Sequence, residues 1–267
     1  MKTLLTILAL FLIFQVITFL FERFLRKASP RTRVSLYKYF YLYLPIIPLA
    51  YLSPFYRQPK DHLFLFKIQE FSLTQSLSEG FQKIPTELAI SLESFMTTVY
   101  FTLVVILVLK LALEYLLTRR KLSRGSYEQK DRIILTKNNF SIPFCFGLLK
   151  PKIYWPQKLP QEGKSAQIIY EHESVHAQNK DPLWLFSSRL LSCFLWFSPL
   201  TPFFHKRFIQ LIEENCDEQT IINLKVKPEE YGEILLTMAT SPQHYSLVTP
   251  LNKSNLKSRI LTITSRT

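Results

Sequence analysis

The sequence predicts a mainly α membrane protein with three transmembrane helices followed by a cytoplasmic α+β domain. Three observations indicate this: long uncharged runs in the first half, basic stretches directly after the first and third runs, and a mixed second half with strand-like and helix-like segments. We divide the chain into a membrane domain, residues 1–117, and a second domain, residues 118–267.

The first uncharged run, Thr3 to Phe21, is long enough to cross a bilayer as a helix. The stretch that follows, "ERFLRKASPRTRVSLYK", is strongly basic, and a basic stretch opposes translocation. We therefore expect an uncleaved anchor whose N-terminus lies outside the cell.

The second predicted span is Tyr39–Tyr56, an aromatic run that contains three prolines. A mixed-charge loop, residues 57–93, should lie outside. The third span, Ser94–Leu117, precedes another basic stretch, "TRRKLSRGSYEQKDR", so the rest of the chain should lie in the cytoplasm. We attribute the net charge of +13 to loops that face anionic lipid, and we expect no direct contact with nucleic acid.

The stretch "EHESVHAQNKD" has the pattern of a zinc-binding helix. In a helix, His172 and His176 lie on one face and can direct two imidazoles at one Zn²⁺. Glu173 can take a proton from an attacking water and pass it to a leaving amine. Pro182 should end this helix. The three cysteines lack the spacing of a cysteine zinc site or a disulfide framework.

The stretch "LIEENCDEQT" supplies the third ligand. We expect Glu213 to complete the zinc shell and Asp217, four residues later, to orient a histidine through its free N–H group. His205 is the rival ligand, although a basic role at the membrane interface suits it better. Asp181 is expected at a helix end or behind a ligand, and not on the metal.

The apolar segment 182–204 separates the two halves of this site. A single crossing would put His176 and Glu213 on opposite sides of the membrane. Two crossings need roughly forty residues, whereas 36 residues lie between His176 and Glu213. We therefore predict a membrane-associated helical hairpin, with the zinc site on the cytoplasmic side.

Two segments before the zinc helix, "RIILTK" and "PKIYWP", are predicted strands. An edge strand beside the helix could hold an extended substrate by main-chain pairing, which makes Lys152, Ile153, Tyr154 and Trp155 candidate substrate-binding residues. The alternative, a hairpin that only packs against the helix, stays open.

Four motifs, "PFCFGLLKPKIYWP", "HESVHAQNKDPLW", "LWFSPLTPFF" and "EENCDE", resemble in order and spacing those of the BlaR/MecR-type integral-membrane metallopeptidases. The tail segments "YGEILLTMAT" and "LKSRILTI" are similar too. The resemblance implies a gluzincin-type zinc domain in which His172, His176 and Glu213 bind zinc, Glu173 is the base and Cys216–Asp217 support the site. It also implies a signalling role: cleavage of a cytoplasmic repressor, or of the protein itself.

The antibiotic-sensing members of that family carry an extracellular penicillin-binding domain. This sequence shows no comparable serine sensor, so we expect no sensing of β-lactams. The signal should enter through the loop 57–93, a partner that touches it, or the spans. A membrane quality-control protease is an alternative that the compact site spacing disfavours. A non-enzymatic membrane sensor or immunity protein is a second alternative, disfavoured by the intact motif.

Reporter fusions test this topology. Fusions at Arg33, Ser126 and Lys253 should all report the cytoplasm, and a fusion near Ser76 should report the outside, because basic flanks stay inside. An external signal at Lys253 would show that the segment 182–204 crosses the membrane.

Overall fold

The structure is a computed structural model that describes residues 2–25, 28–43, 86–124, 129–130, 133–136, 142–239 and 259–263. The chain is mainly helical, as predicted. The elements within these ranges are α1 (Lys2–Phe24), α2 (Pro30–Tyr43), α3 (Thr86–Ser123), β1 (Gln129–Lys130), β2 (Ile133–Thr136), β3 (Phe144–Phe146), β4 (Lys152–Pro156), α4 (Lys164–Gln178), α5 (Asp181–Phe194), α6 (Leu200–Leu224) and α7 (Pro228–Ala239).

Helix α3 is the element best suited to cross a membrane. Its segment Ser94–Ser123 is the one part of the described chain that is both long and apolar enough for a span. The helix begins at Thr86, so residues 86–93, predicted as the end of the external loop, are helical instead. Residues 57–85 of that loop lie outside the described ranges.

Helix α1 contains the first predicted span, and it turns a polar stripe inward. Gln15, Thr18 and Glu22 recur at helical spacing and are buried, whereas the opposite side exposes large apolar residues. A helix on a water-facing surface shows the reverse distribution. A polar interior with an apolar exterior is typical of membrane helices. The three-span topology stays a prediction, and this distribution supports it.

Helix α2 begins inside the basic stretch that follows α1. The predicted second span, Tyr39–Tyr56, overlaps α2 only at residues 39–43, and residues 44–56 lie outside the described ranges. The basic stretch is therefore not only a connecting loop, because from Pro30 onward it forms a helix that packs on the rest of the protein.

The core forms where α2 meets α6. Tyr37 stacks on Phe208 with ring centroids 5.7 Å apart, and Phe40 stacks on Phe204 at 5.4 Å. All four side chains are buried, and Val175 of α4 joins the same cluster. Contacts between the two predicted domains therefore cross the boundary at residue 117, and that boundary stays a prediction.

Helices α5 and α6 form a hairpin through the turn at residues 195–199, within the predicted segment 182–204. Gln15 of α1 fixes the turn: its amide accepts a hydrogen bond from Ser198 at 2.8 Å and donates one to Thr201 at 3.1 Å. The hairpin therefore lies against the inward polar stripe of α1. Its association with the membrane stays a prediction.

The four strands form one sheet in the order β1-β2-β4-β3. Strands β2 and β4 are parallel, and the other two pairs are antiparallel. Because β4 has a neighbour on each side, its main chain is already paired, and the predicted edge-strand role of Lys152, Ile153, Tyr154 and Trp155 is wrong. Ile153 and Trp155 instead pack against Ala166 of α4, as the alternative reading had it.

Two tyrosines of α2 test the importance of the α2–α6 contact. Tyr37 is 0% exposed, and Tyr39 is 58% exposed. Tyr37→Ala should lower the free energy of unfolding by about 3 kcal/mol, because it removes a buried ring. Tyr39→Ala should leave it nearly unchanged. Unfolding in detergent, followed by circular dichroism, measures both. Equal effects of the two substitutions would show that α2 is not anchored on α6.

Candidate metal centre

Three side chains from two helices converge on one point. His172 and His176 lie one turn apart on α4, and Glu213 faces them from α6. The two histidine Nε2 atoms are 3.2 Å apart, and the Glu213 carboxylate oxygens lie 3.6 and 3.7 Å from them. Ligands of a tetrahedral zinc ion, each about 2.0–2.1 Å from the metal, are separated by about 3.3 Å. These three buried side chains therefore fit an ion of that size.

Both imidazoles are held through their second nitrogen. His176 Nδ1 lies 3.0 Å from Asp181 Oδ2. His172 Nδ1 lies 3.0 Å from the hydroxyl of Tyr231, which itself donates to Asp217 at 2.7 Å. These acceptors favour a proton on each Nδ1 atom, and so they leave the Nε2 lone pairs directed at the common point.

The corner between α4 and α5 brings Asp181 beneath His176. Helix α4 ends at Gln178, and Lys180 then adopts a left-handed conformation with φ of 54°. Pro182, near the first position of α5, cannot continue α4 but is well tolerated where a helix starts. The predicted helix end is confirmed, and the turn places Asp181 against His176.

The sequence assigned no role to Arg259, yet this residue touches the site. It is 1% exposed and lies in the short helical segment 259–263. Its guanidinium lies 2.9 Å from Glu213 and donates two hydrogen bonds to Asp217, at 2.6 and 2.8 Å. Burial favours the protonated form of Glu213, but Arg259 and the two histidines hold its pKa well below the usual range. Glu213 is therefore an anion at neutral pH.

Glu173 is buried beside the first histidine on α4. Burial raises the pKa of its carboxyl group, although His176 and His172 oppose the shift. A raised pKa suits a group that must accept a proton and then release it near neutral pH. Cys145 of strand β3 lies close to Glu173. Burial raises the pKa of the Cys145 thiol, and the charge of the Glu173 carboxylate raises it further.

Cys216 forms a second cluster on the far side of His176. Its sulfur lies 3.2 Å from His176 Nδ1 and 3.5 Å from Asp181 Oδ2, and these three residues could also hold a metal ion. These contacts reach His176 through Nδ1, however, whereas the ligands that converge with Glu213 use the Nε2 atoms. The cluster is better explained as hydrogen bonding that fixes His176.

His205 lies outside the centre. Its Nδ1 atom lies 2.8 Å from the hydroxyl of Ser188 on α5. Burial, together with the nearby charge of Arg189, lowers the pKa of His205 to about 4. This shift favours the neutral side chain at pH 7, and the basic role at the membrane interface stays a prediction.

Removal of the third ligand tests the site. Glu213→Gln should weaken zinc binding by more than about 100-fold, because even residues behind the ligands typically contribute 10–100-fold. Glu229→Gln, at an exposed position of α7, is the matched control and should bind zinc like the wild type. Competition with a chromogenic chelator measures both affinities. Zinc binding of wild-type strength in Glu213→Gln would exclude this residue as a ligand.

Comparison with known proteins identifies the family of this chain. The family model for BlaR1 peptidase M56 matches residues 3–263. A search of curated proteins gave no significant match. Because the family match covers almost the entire chain, this protein belongs to the BlaR1 peptidase M56 family, whose members are membrane-associated metallopeptidases.

Proposed function

We propose that this chain is a membrane-embedded zinc endopeptidase of the gluzincin type, with its active site on the cytoplasmic side. Its task would be that of an antirepressor: it cleaves a cytoplasmic transcriptional repressor, or itself, in response to an external or membrane signal. The convergence of His172, His176 and Glu213, with Glu173 alongside, carries the proposal. Membership of a metallopeptidase family supports the reaction type.

Different residues of the chain have different roles in the proposed reaction. Bound zinc would polarise the scissile carbonyl and acidify water. Glu173 accepts a proton from the attacking water as the new C–O bond forms, and it delivers that proton to the amine nitrogen as the C–N bond breaks. Asp181 and Tyr231 keep the histidine Nε2 atoms directed at the metal. Arg259 keeps Glu213 ionised.

We propose that strand β3, and not β4, faces the substrate. Strand β3 stands at the end of the described strand order, and α4 packs against it. Its Cys145 lies within electrostatic reach of Glu173 and His176. An extended substrate aligned along this strand would bring a peptide carbonyl over the metal centre.

The membrane placement is supported by α1 and α3. The inward polar stripe of α1 and the long apolar segment of α3 both suit a lipid environment. The basic stretches next to both helices favour a cytoplasmic site with a lipid-facing surface. We further propose that the signal enters through the loop 57–93 or through a partner bound to it, and that β-lactams are not the signal.

The substitution Glu173→Gln separates metal binding from catalysis. The variant should bind zinc like the wild type, because no ligand is lost, and its proteolytic activity should fall by at least about 100-fold, because the proton carrier is removed. Zinc content is measured by mass spectrometry. Proteolysis is measured by comparing new protein N-termini in cells that express the wild type or Glu173→Gln.

The pattern of new N-termini decides between the functions. Cleavage confined to a DNA-binding repressor, or to this protein, supports the antirepressor role. Cleavage spread over many membrane proteins would indicate a quality-control protease. The same N-termini in wild type and Glu173→Gln would contradict the enzymatic mechanism, as expected for a non-enzymatic sensor.

A further inference from the structure

Lys38 of α2 reaches the corner between α4 and α5. Its ammonium group donates a hydrogen bond to the carbonyl oxygen of Asn179 at 3.1 Å and lies 3.5 Å from Asp181 Oδ1. It also lies 5.5 Å from the ring centre of Trp184 on α5. Lys38 therefore touches both sides of the turn that follows the metal-binding helix.

The Asp181 carboxylate is shared between this lysine and the metal centre. Its Oδ1 atom faces Lys38, and its Oδ2 atom faces Nδ1 of His176. The Asp181 side chain is only 2% exposed, so water cannot easily compensate its charge. The ammonium group thus lies next to one carboxylate oxygen and next to the backbone carbonyl that follows α4, where a positive charge is favourable.

We propose that Lys38 is a positioning residue of the metal centre, acting through Asp181 on the orientation of His176. This inference rests on the proposed function, because it requires His176 to bind metal through Nε2. Lys38 belongs to the predicted membrane domain, and Asp181 alone stands between it and the ligand His176.

Other contacts of α2 fix the position of Lys38 in the fold. Arg33, earlier on the same helix, forms a buried ion pair with Glu22 of α1 at 2.7 Å, and Tyr37 donates a hydrogen bond to the same carboxylate at 3.2 Å. Arg33 also lies 3.9 Å from Glu214, the neighbour of the ligand Glu213. The position of Lys38 is thus set by α1 and α6 together.

The test measures zinc affinity of the full-length protein in detergent by chelator competition, with unfolding of the zinc-free protein measured in parallel. Lys38→Met should weaken zinc binding by about tenfold, the low end of the effect of residues behind metal ligands. Lys38→Arg should restore most of the affinity, because it keeps the charge. Lys206→Met, at an exposed position of α6, is the matched control and should bind zinc like the wild type.

A double-mutant cycle shows whether the effect passes through Asp181. In the Asp181→Asn background, Lys38→Met should change zinc affinity by less than about twofold, because the carboxylate it acts on is gone. Unchanged zinc affinity in Lys38→Met, or a full tenfold loss in the Asp181→Asn background, would overturn the inference. So would a loss explained by lower stability of the zinc-free protein alone. Failure of the wild type to bind zinc would overturn both this inference and the proposed function.

Discussion

Two imidazole nitrogens and one carboxylate, supplied by two helices, must reach a single point inside the protein, and this requirement sets the packing of α4 on α6. His172 and His176 need only a regular helix to share a face. Glu213 reaches them because α5 folds back and α6 returns beside α4 as a hairpin. The core cluster of α2, α4 and α6 then keeps the two helices in register, and the separations of 3.2 to 3.7 Å depend on it.

The buried carboxylates impose a second constraint, because a buried charge without a partner costs several kcal/mol. The buried carboxylates of Asp181, Glu213 and Asp217 are each matched by a cation or donor from a distant part of the chain. Arg259 comes from the tail, Lys38 from α2, and Tyr231 from α7. The candidate metal centre is therefore held by contacts from α2, α7 and the tail as well as by its own two helices.

The sequence predicted what depends on short-range spacing. The pair of histidines, the helix end at Pro182 and the strands at Ile133–Thr136 and Lys152–Pro156 follow from local patterns, and the structure contains all of them. The hairpin followed instead from the requirement that His176 and Glu213 meet, and the structure contains it as well. Strand order depends on long-range pairing, so the interior position of β4 was not predictable from "PKIYWP" alone. The roles of Arg259 and Lys38 were not predictable for the same reason. The sequence around a basic residue does not indicate which buried carboxylate it will contact in the fold.

The most direct test of the central claim is X-ray absorption at the zinc edge of the purified wild-type protein. The account predicts one zinc ion with a shell of nitrogen and oxygen at about 2.0–2.1 Å, including two imidazoles and no sulfur. A sulfur neighbour at about 2.3 Å would contradict it, because the metal would then lie with Cys216 on the opposite side of His176.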